Sequence, residues 1–335
     1  MSRAENVLRG LDPARAVQEW PPVPRVEWAA VAGGPAPDRG RRWKRRALFG
    51  AMATSAAALV AGVVVVQVAD SSTPAYAATP EPLQVQYSGD APMARDALLR
   101  LAAALEAAPA PAQSVGRFSF VRVGQWSLDM SFSKGSTDVA MVPQVISTWR
   151  AADGSGKVAT VNLDRSDLEQ RPDAEGLLAA AAGSVPDVNT YGPGELAAVV
   201  ADPVPTDANA LEQALYAHQP RVNGAKSAVR AVADLYRTTE VDQNVRVAVL
   251  RFLARTDGVL LRGAVTDRLS RHGLAVSVDS DNGGTRDILV FDQRTGLLLA
   301  YESMFLRRPE RLPVRVPAVH AYVLYLDQDR RADTT

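Results

Sequence analysis

Apolar and polar residues alternate most regularly between residues 126 and 133. The apolar positions are Trp126, Leu128, Met130 and Phe132, and only serine or aspartate stands between them. A period of two residues is typical of a β-strand with one buried and one solvated face. An apolar run at 118–123 precedes this stretch, and we expect the two to pair as a hairpin across Gly124.

Elsewhere the spacing of apolar residues predicts both helices and further strands. A period of three to four residues predicts helices over 93–108 and 209–217, one capped by Asn223 and one capped by Asp242. Short apolar runs between turn residues predict the other strands, at 142–150, 158–163, 259–265, 274–278, 285–291, 297–305 and 322–326. Asn282-Gly283 predicts a tight hairpin turn, and Gly296 ends a second turn that begins at Asp292.

Strands, then helices, then strands again within one stretch of chain indicate the α+β class. We expect residues 91–335 to form a curved antiparallel sheet packed on helices. The chain has no cysteine, so this domain cannot contain disulfides, thiolate metal sites or a cysteine nucleophile. Its length is ample for a hydrophobic core.

The longest apolar run lies before this domain, from Ala47 to Ala69, and contains 23 uncharged residues. A helix of that length measures roughly 34 Å and would cross the hydrocarbon core of a bilayer. A cationic block stands directly before the run, formed by Arg41, Arg42, Lys44, Arg45 and Arg46. Since such blocks stay on the cytoplasmic side, we predict one transmembrane helix with the N-terminus in the cytoplasm and the large domain outside.

A cleaved secretory signal is the alternative for this run, because Ala75-Tyr76-Ala77 resembles a cleavage site. Signal peptides have apolar regions of only about 7–15 residues, which favours an uncleaved anchor in the cell membrane. The predicted organisation is a basic cytoplasmic tail at 1–46, the span at 47–69, a Pro- and Ser-containing linker at 70–90 and the extracytoplasmic domain at 91–335. The lipid bilayer is then the first predicted partner.

The tail contains a short helical pattern that could fold on a partner. Val7, Leu8 and Leu11 share one helical face, and Trp20 ends a second short segment. Helices this short are marginal alone, so binding to a cytoplasmic protein and contact with lipid headgroups both remain open. The tail carries ten basic and five acidic residues, while the whole chain is neutral, so the outer domain is acidic and nucleic acid is not an expected partner.

No pattern in the chain indicates catalysis. The three histidines lie far apart, which argues against a metal site, and Ser131 to Lys134 matches S-x-x-K without its companion motifs. We therefore predict no enzyme activity, no cofactor and no metal. A curved sheet covered by helices can instead enclose an apolar ligand cavity. The residues expected to line it are Trp126, Met130, Phe132, Trp149, Phe291 and Met304, although simple core packing explains them as well.

Three segments, together with the Arg-rich entry to the span, resemble a family of uncharacterised single-pass membrane proteins from high-GC Gram-positive bacteria. They are Val7-Leu8-Arg9-Gly10-Leu11-Asp12-Pro13-Ala14, Ser147-Thr148-Trp149-Arg150-Ala151-Ala152-Asp153-Gly154-Ser155-Gly156 and Arg286-Asp287-Ile288-Leu289-Val290-Phe291-Asp292-Gln293-Arg294-Thr295-Gly296-Leu297-Leu298. Genes of that family commonly lie beside genes for extracytoplasmic-function sigma factors. The last segment is also similar to half-barrel lipoprotein carriers and to the sigma-regulator sensor domains built on the same sheet.

The resemblance implies envelope sensing or regulation of a sigma factor, and it supplies no catalytic residues. Two functions follow as hypotheses. In the first, the protein is a membrane-anchored sensor or regulator whose tail binds a sigma factor. In the second, the outer domain binds a hydrophobic ligand or lipid and the tail only determines topology.

Overall fold

The computed structural model describes residues 79–110, 115–133, 136–163, 179–310 and 312–334, with the side chains of 129–141 left out. Within these residues the first half of the domain is a helix followed by an antiparallel meander. Helix α1 (Arg95–Ala107) precedes β1 (Phe118–Ser133), β2 (Ser136–Ala151), β3 (Gly156–Asn162) and β4 (Asp187–Tyr191).

Three helices separate this meander from the second one. They are α2 (Ala208–His218), α3 (Ala225–Thr238) and α4 (Gln243–Arg255). The side chain of Asp242 accepts a hydrogen bond from the Val245 amide at 2.9 Å and caps α4, as the sequence predicts. Asp207 caps α2 in the same way. Helix α3 begins instead after Gly224, and the predicted cap Asn223 lies in a short 3-10 turn.

The second meander contains β5 (Leu260–Thr266), β6 (His272–Ser280), β7 (Thr285–Phe291), β8 (Leu298–Phe305) and β9 (Ala318–Arg331). Strand β9 pairs with β1 and joins the two meanders into one antiparallel sheet. The sheet of the described residues has nine strands in the order β4-β3-β2-β1-β9-β8-β7-β6-β5. The predicted α+β class, with a large antiparallel sheet and several helices, is confirmed.

Both faces of the sheet are apolar, and each has its own core. The helix-side core contains Val229 and Val232 of α3, Leu253 of α4, and Val276 and Leu289 of the sheet. The opposite face, which we call the outer face, carries a second core that includes Trp126, Ile288, Met304, Tyr322 and Leu324. Because strand residues alternate between faces, neighbours such as Ile288 and Leu289 enter different cores.

The predicted hairpin across Gly124 is wrong. Strand β1 continues through this glycine, which pairs with Val145 on one side and Leu324 on the other. The side chains continue to alternate between the two faces across Gly124, because Val121 and Val123 enter the helix-side core while Trp126 and Leu128 lie in or against the outer-face core. The partner of β1 is β2, and they pair over the full length of both strands.

The predicted turns of the second meander are confirmed. Asn282 and Gly283 have φ values of 54° and 76°, and they connect β6 to β7. Gly296, with φ 64°, closes the turn between β7 and β8, where Asp292 accepts hydrogen bonds from the Arg294 and Thr295 amides. Asparagine and glycine tolerate this left-handed conformation, which is why the sequence predicts these turns.

No helix in the described part of the chain is long and apolar enough to cross a bilayer. The predicted span at 47–69 lies outside the described residues, as does the predicted tail at 1–46.

Candidate functional site

The segment that leads into the domain is bonded to the sheet along its length. We call residues 79–93 the strap. Val85 and Met93 form antiparallel bridges with Val265 and Leu260 of β5, the edge strand on this side of the sheet. The Tyr87 amide also donates to the Arg262 carbonyl at 3.0 Å. Residues 79–90 are the described part of the predicted linker at 70–90. They are bonded to the edge strand β5 and do not form a free connection.

Arg262 of β5 holds the middle of the strap from below. Its side chain is fully buried, and its guanidinium donates to the carbonyls of Tyr87 and Gly89, each at 2.9 Å. Its Nε donates to the Ser277 hydroxyl at 2.7 Å. Burial lowers the pKa of Arg262, the charge of Arg286 lowers it further, and Asp279 opposes both effects. Buried arginine needs such a complete set of acceptors, and the strap supplies part of the set.

Asp279 connects two arginines beneath the strap. It pairs with Arg262 at 3.4 Å and accepts two hydrogen bonds from Arg286, at 2.6 and 2.7 Å. Burial alone would raise the pKa of Asp279, but the hydrogen bonds and charges of the two arginines outweigh burial and lower it. Arg286 also donates to the Ser88 carbonyl at 3.3 Å. The centre of the strap thus rests on a charged triad.

A second buried charge holds the start of the strap on the outer face. Glu302 of β8 is 1% exposed and accepts a hydrogen bond from the Leu83 amide at 3.2 Å. It pairs with Arg268, which also donates to the Glu81 carbonyl at 2.7 Å. Burial raises the pKa of Glu302, and the charge of Arg268 acts in the opposite direction.

Aromatic rings surround this second anchor. The guanidinium of Arg268 lies 4.5 Å from the centre of the Tyr322 ring, which stacks on Trp126 at 4.1 Å. Leu83 and Val85 of the strap pack against the outer-face core that contains both rings. The strap is therefore joined to the sheet by hydrogen bonds, by ion pairs and by apolar contact, so its displacement must disturb the outer-face core.

The residues predicted to line one cavity do not lie together. Trp126 and Met304 belong to the outer-face core, while Phe291 belongs to the helix-side core. Trp149 contacts Phe120, with ring centres 4.9 Å apart. Met130 and Phe132 lie in β1, but their side chains are outside the described set. Successive side chains of a strand point to opposite faces of the sheet, so apolar residues that look alike in the sequence can enter different cores.

The predicted tail residues Val7, Leu8, Leu11 and Trp20 lie outside the described residues. The topology block Arg41, Arg42, Lys44, Arg45 and Arg46 does so too. Both stay predictions.

A cavity of about 200 Å³ lies where β8 and β9 separate, and we call it the notch. Its walls include Val121, Tyr236, Leu298 and Leu326. Arg271 spans the separated strands, since it donates to the carbonyls of Leu299 and Tyr325, both at 2.7 Å. Ligand pockets for drug-sized molecules measure about 300–1,000 Å³, so the notch suits only a small molecule.

A buried polar cluster lies beneath α3, on the helix side of the sheet. Asp287 is fully buried, accepts a hydrogen bond from the Tyr301 hydroxyl at 2.6 Å and lies 3.4 Å from Arg230 of α3. His320 is hydrogen bonded to the Ser303 hydroxyl at 3.0 Å. Burial lowers the pKa of His320 to about 4. The charge of Asp287 raises this pKa, and the charge of Arg230 lowers it. This imidazole is neutral at pH 7.

Sequence reasoning missed Arg262 and Glu302, although a signal for both was present. Each is a single charge inside an otherwise apolar strand, in Val259 to Val265 and in Leu297 to Phe305. A charge at such a position must have buried partners. The sequence cannot identify those partners, because the strap carbonyls lie about 175 residues away along the chain.

No protein-family model and no curated protein sequence matches this chain.

Proposed function

We propose that this protein is a membrane-anchored regulator of the cell envelope. In this proposal residues 47–69 span the membrane, the sheet domain lies outside, and the basic tail at 1–46 acts on a cytoplasmic partner such as a sigma factor. The cationic block before the apolar run supports the orientation. The resemblance of three segments to proteins encoded beside sigma factors supports the choice of partner.

The strap is the observation that carries this proposal. Among the described residues its first bonded position is Glu81, 12 residues after Ala69 at the end of the proposed span, and the strap is fixed to the buried charges Arg262 and Glu302. A flexible tether would isolate the domain from the span. In this proposal the strap exchanges between the docked arrangement seen in the structure and a released one, and a signal that favours one of them changes the chain that leads to the span.

The decisive experiment measures transcription from a promoter that depends on the sigma factor proposed as the partner. Arg262→Met in the full chain removes the donor to the strap carbonyls and keeps an unbranched side chain in the core. We expect this variant to change reporter output while the protein stays in the membrane at its normal level. Arg255→Met is the matched control, since Arg255 is exposed on α4 and bonds only within the helices.

The tail is tested separately. Deleting residues 2–38 removes the apolar tail positions and keeps the cationic block that orients the span. We expect the deletion to abolish the effect of Arg262→Met, and a peptide of residues 1–46 to capture the sigma factor. If the peptide captures nothing and the deletion leaves transcription unchanged, the regulatory proposal fails.

Binding of a small apolar ligand is the second candidate function, and the notch supports it. The walls of the notch also include Arg271, Asp327 and Gln328, so its volume of about 200 Å³ suits one substituted ring or a short acyl chain that carries a polar group. Native mass spectrometry of the full chain should then detect a small bound molecule. Leu326→Trp would fill the notch and remove that molecule, while Leu306→Trp, at a half-buried position outside the notch, would retain it. A ligand-free spectrum of the wild-type protein would reject this function.

A further inference from the structure

The turn between β5 and β6 is held together by one buried carboxylate. It contains residues 267–271, and we call it the Asp267 turn. The side chain of Asp267 has no exposed surface and accepts hydrogen bonds from the Leu269 and Arg271 amides, both at 2.9 Å. The Asp267 amide donates to the Arg271 carbonyl at 2.9 Å. Aspartate commonly bonds the main chain that follows it, and here these bonds tie the two ends of the turn together.

One side of the Asp267 turn holds the start of the strap. Arg268 donates to the Glu81 carbonyl at 2.7 Å and pairs with the buried Glu302. Glu302 accepts a hydrogen bond from the Leu83 amide at 3.2 Å. Leu269 of the same turn packs against the outer-face core, as Leu83 does. A shift of this turn therefore moves the groups to which the strap is bonded.

The other side of the turn reaches the notch through Arg271. Its guanidinium donates to the carbonyls of Leu299 and Tyr325, each at 2.7 Å, and its Nε donates to the Asp267 carboxylate at 2.8 Å. Nη2 also lies 2.7 Å from that carboxylate. These contacts use four of the five N–H groups of arginine. One Nη1 hydrogen has no acceptor among the residues that the structure describes.

Tyr236 supplies a second donor at the notch. Its side chain is buried, and its hydroxyl lies 3.5 Å from the Gly296 carbonyl, at the long limit for a hydrogen bond. Val121 and Leu298 supply apolar walls. The notch thus offers hydrogen-bond donors and apolar surface together, which suits a ligand with an acceptor group on a small apolar body.

The charges around the notch decide which acceptor group fits. The carboxylates of Asp267 and Asp327 lie nearby, and each already has an arginine partner. For Asp327 this partner is Arg331, at 3.3 Å. Neither carboxylate needs a further cation, whereas Arg271 keeps a free N–H. Hydrogen bonds between a guanidinium and a carboxylate are about twice as strong as those between neutral groups, so a carboxylate competes best for Arg271.

We propose that the notch binds a small carboxylate with one ring or a short chain, and that binding loosens the start of the strap. The carboxylate competes with the carbonyls of Leu299 and Tyr325 for Arg271, the Asp267 turn shifts, and Arg268 moves with it. This inference rests on the second candidate function, ligand binding in the notch. It adds the chemical class of the ligand and a consequence for the strap, which the ligand controls only if it binds better when the strap is loose.

Three probes of equal size test the chemical class. Benzoate, benzyl alcohol and benzylamine share one ring and differ in charge, and each is titrated into the full chain in lipid nanodiscs and followed by saturation-transfer NMR. We expect benzoate to bind about tenfold more tightly than the other two, because only benzoate forms a charge-assisted bond with Arg271. Equal binding of the three probes, or tighter binding of benzylamine, overturns the inference.

Two variants locate the binding site. Leu326→Trp fills the notch and should abolish benzoate binding, and Arg271→Gln should weaken it about tenfold. Arg251→Gln is the matched control, since Arg251 is exposed and pairs with Glu106 between α1 and α4. Leu326→Trp decides the point even if Arg271→Gln fails to fold. Benzoate that binds Leu326→Trp as well as the wild type lies elsewhere and overturns the inference.

Amide hydrogen exchange tests the effect on the strap. Saturating benzoate should accelerate exchange of the Leu83 amide about fivefold, the lower end of ordinary coupling between two sites, and should leave α2 unchanged. The same benzoate should have no effect on the strap of Leu326→Trp. Benzoate binding with unchanged or slower exchange at Leu83 overturns the inference and leaves ligand binding in the notch intact.

The candidate function of ligand binding stands or falls by a separate measurement. Native mass spectrometry detects whatever molecule the full chain retains, whether or not it is an acid. A retained neutral or cationic molecule that Leu326→Trp loses would support ligand binding and overturn the choice of a carboxylate. A retained carboxylic acid that the same variant loses would support both.

Discussion

Two charged residues on apolar strands control how the strap is held. Arg262 has no exposed surface and Glu302 almost none, and each bonds to main-chain groups of the strap. A buried charge that loses its partners is strongly destabilising, so these residues tie the strap to the stability of the sheet. The loss of stability on replacing either side chain therefore depends on how many main-chain groups of the strap lose a hydrogen bond.

Arg262→Met should loosen the strap more than the rest of the domain. The change removes the donor to the carbonyls of Tyr87 and Gly89, so we expect the free energy of unfolding to fall by about 1–3 kcal/mol. Amide hydrogen exchange should accelerate in the strap and much less in α3. The exposed control Arg255→Met should change stability by less than about 0.5 kcal/mol. Unaltered exchange in the strap would contradict the assigned role of Arg262.

His320 should make the domain less stable in acid. Burial lowers its pKa in the folded state to about 4 from the ordinary 6.5. The unfolded chain therefore binds this proton more readily, and stability falls as the pH drops from 6.5 to about 4, by at most about 3 kcal/mol. Above pH 6.5 both states are neutral at this residue and the effect vanishes.

Denaturant unfolding at a series of pH values checks this prediction. His320→Gln should flatten the loss of stability in that window, whereas His272→Gln, at an exposed position, should not. Comparing variants at each pH also removes the contribution of Glu302, whose raised pKa acts in the opposite direction. Equal acid slopes for wild type and His320→Gln would rule out this role.

At the scale of elements, the strap and β5 fit together through a bulge. The pairing of β5 with β6 shifts between Leu261 and Gly263, and Gly263 has φ 80°. A Cβ at this glycine would lie 2.8 Å from the Cβ of Gln86 in the strap. The bulge allows Arg262 to reach the strap carbonyls while the strap passes close above the strand.

Gly263→Ala should therefore displace the strap. The added methyl group meets Gln86 and the left-handed backbone disfavours alanine, so we expect a loss of about 1–3 kcal/mol and faster proteolysis near Gln86. Gly89→Ala is the control within the strap, because nothing lies within 4 Å of its Cβ position and its φ is not left-handed. Similar proteolysis of both variants would contradict this account.

Elements with a strong local pattern are the ones that the sequence predicts well. The helices capped by Asp207 and Asp242, the hairpin at Asn282-Gly283 and the alternating strands all follow from short-range chemistry. Gly124 misleads because a glycine suggests a turn, while two neighbouring strands hold β1 extended there. The strap has no periodic pattern, since main-chain bonds to a distant arginine hold it.

At the scale of the whole molecule, the proposed regulatory function requires the strap to control signalling. Val85 and Val265 form an antiparallel bridge, and directly paired residues of this kind have Cα atoms about 4.5–5.5 Å apart. That spacing suits a disulfide. Val85→Cys with Val265→Cys should lock the docked arrangement, and the native chain has no other cysteine to compete.

We expect the locked variant to hold sigma-dependent transcription at one level when the envelope is stressed. Added reductant should restore the response, because it breaks only the new bond. Each single-cysteine variant is the control and should respond normally in both conditions. A locked variant that responds like the wild type would show that strap movement carries no signal.

Short-range sequence patterns were enough to predict the α+β class, most helices and strands, the cap at Asp242 and the turns at 282–283 and 292–296, because each depends on residues close together in the chain. The apolar run beside a cationic block also predicts a span and its orientation, and both stay predictions because these residues lie outside the described part of the chain. Tertiary structure alone decided which apolar residues share a core, since Trp126 and Phe291 enter opposite faces. It alone decided that the supposed linker is a strap, because the bonds between Arg262 and residues 87–89 join parts of the chain that no local pattern relates.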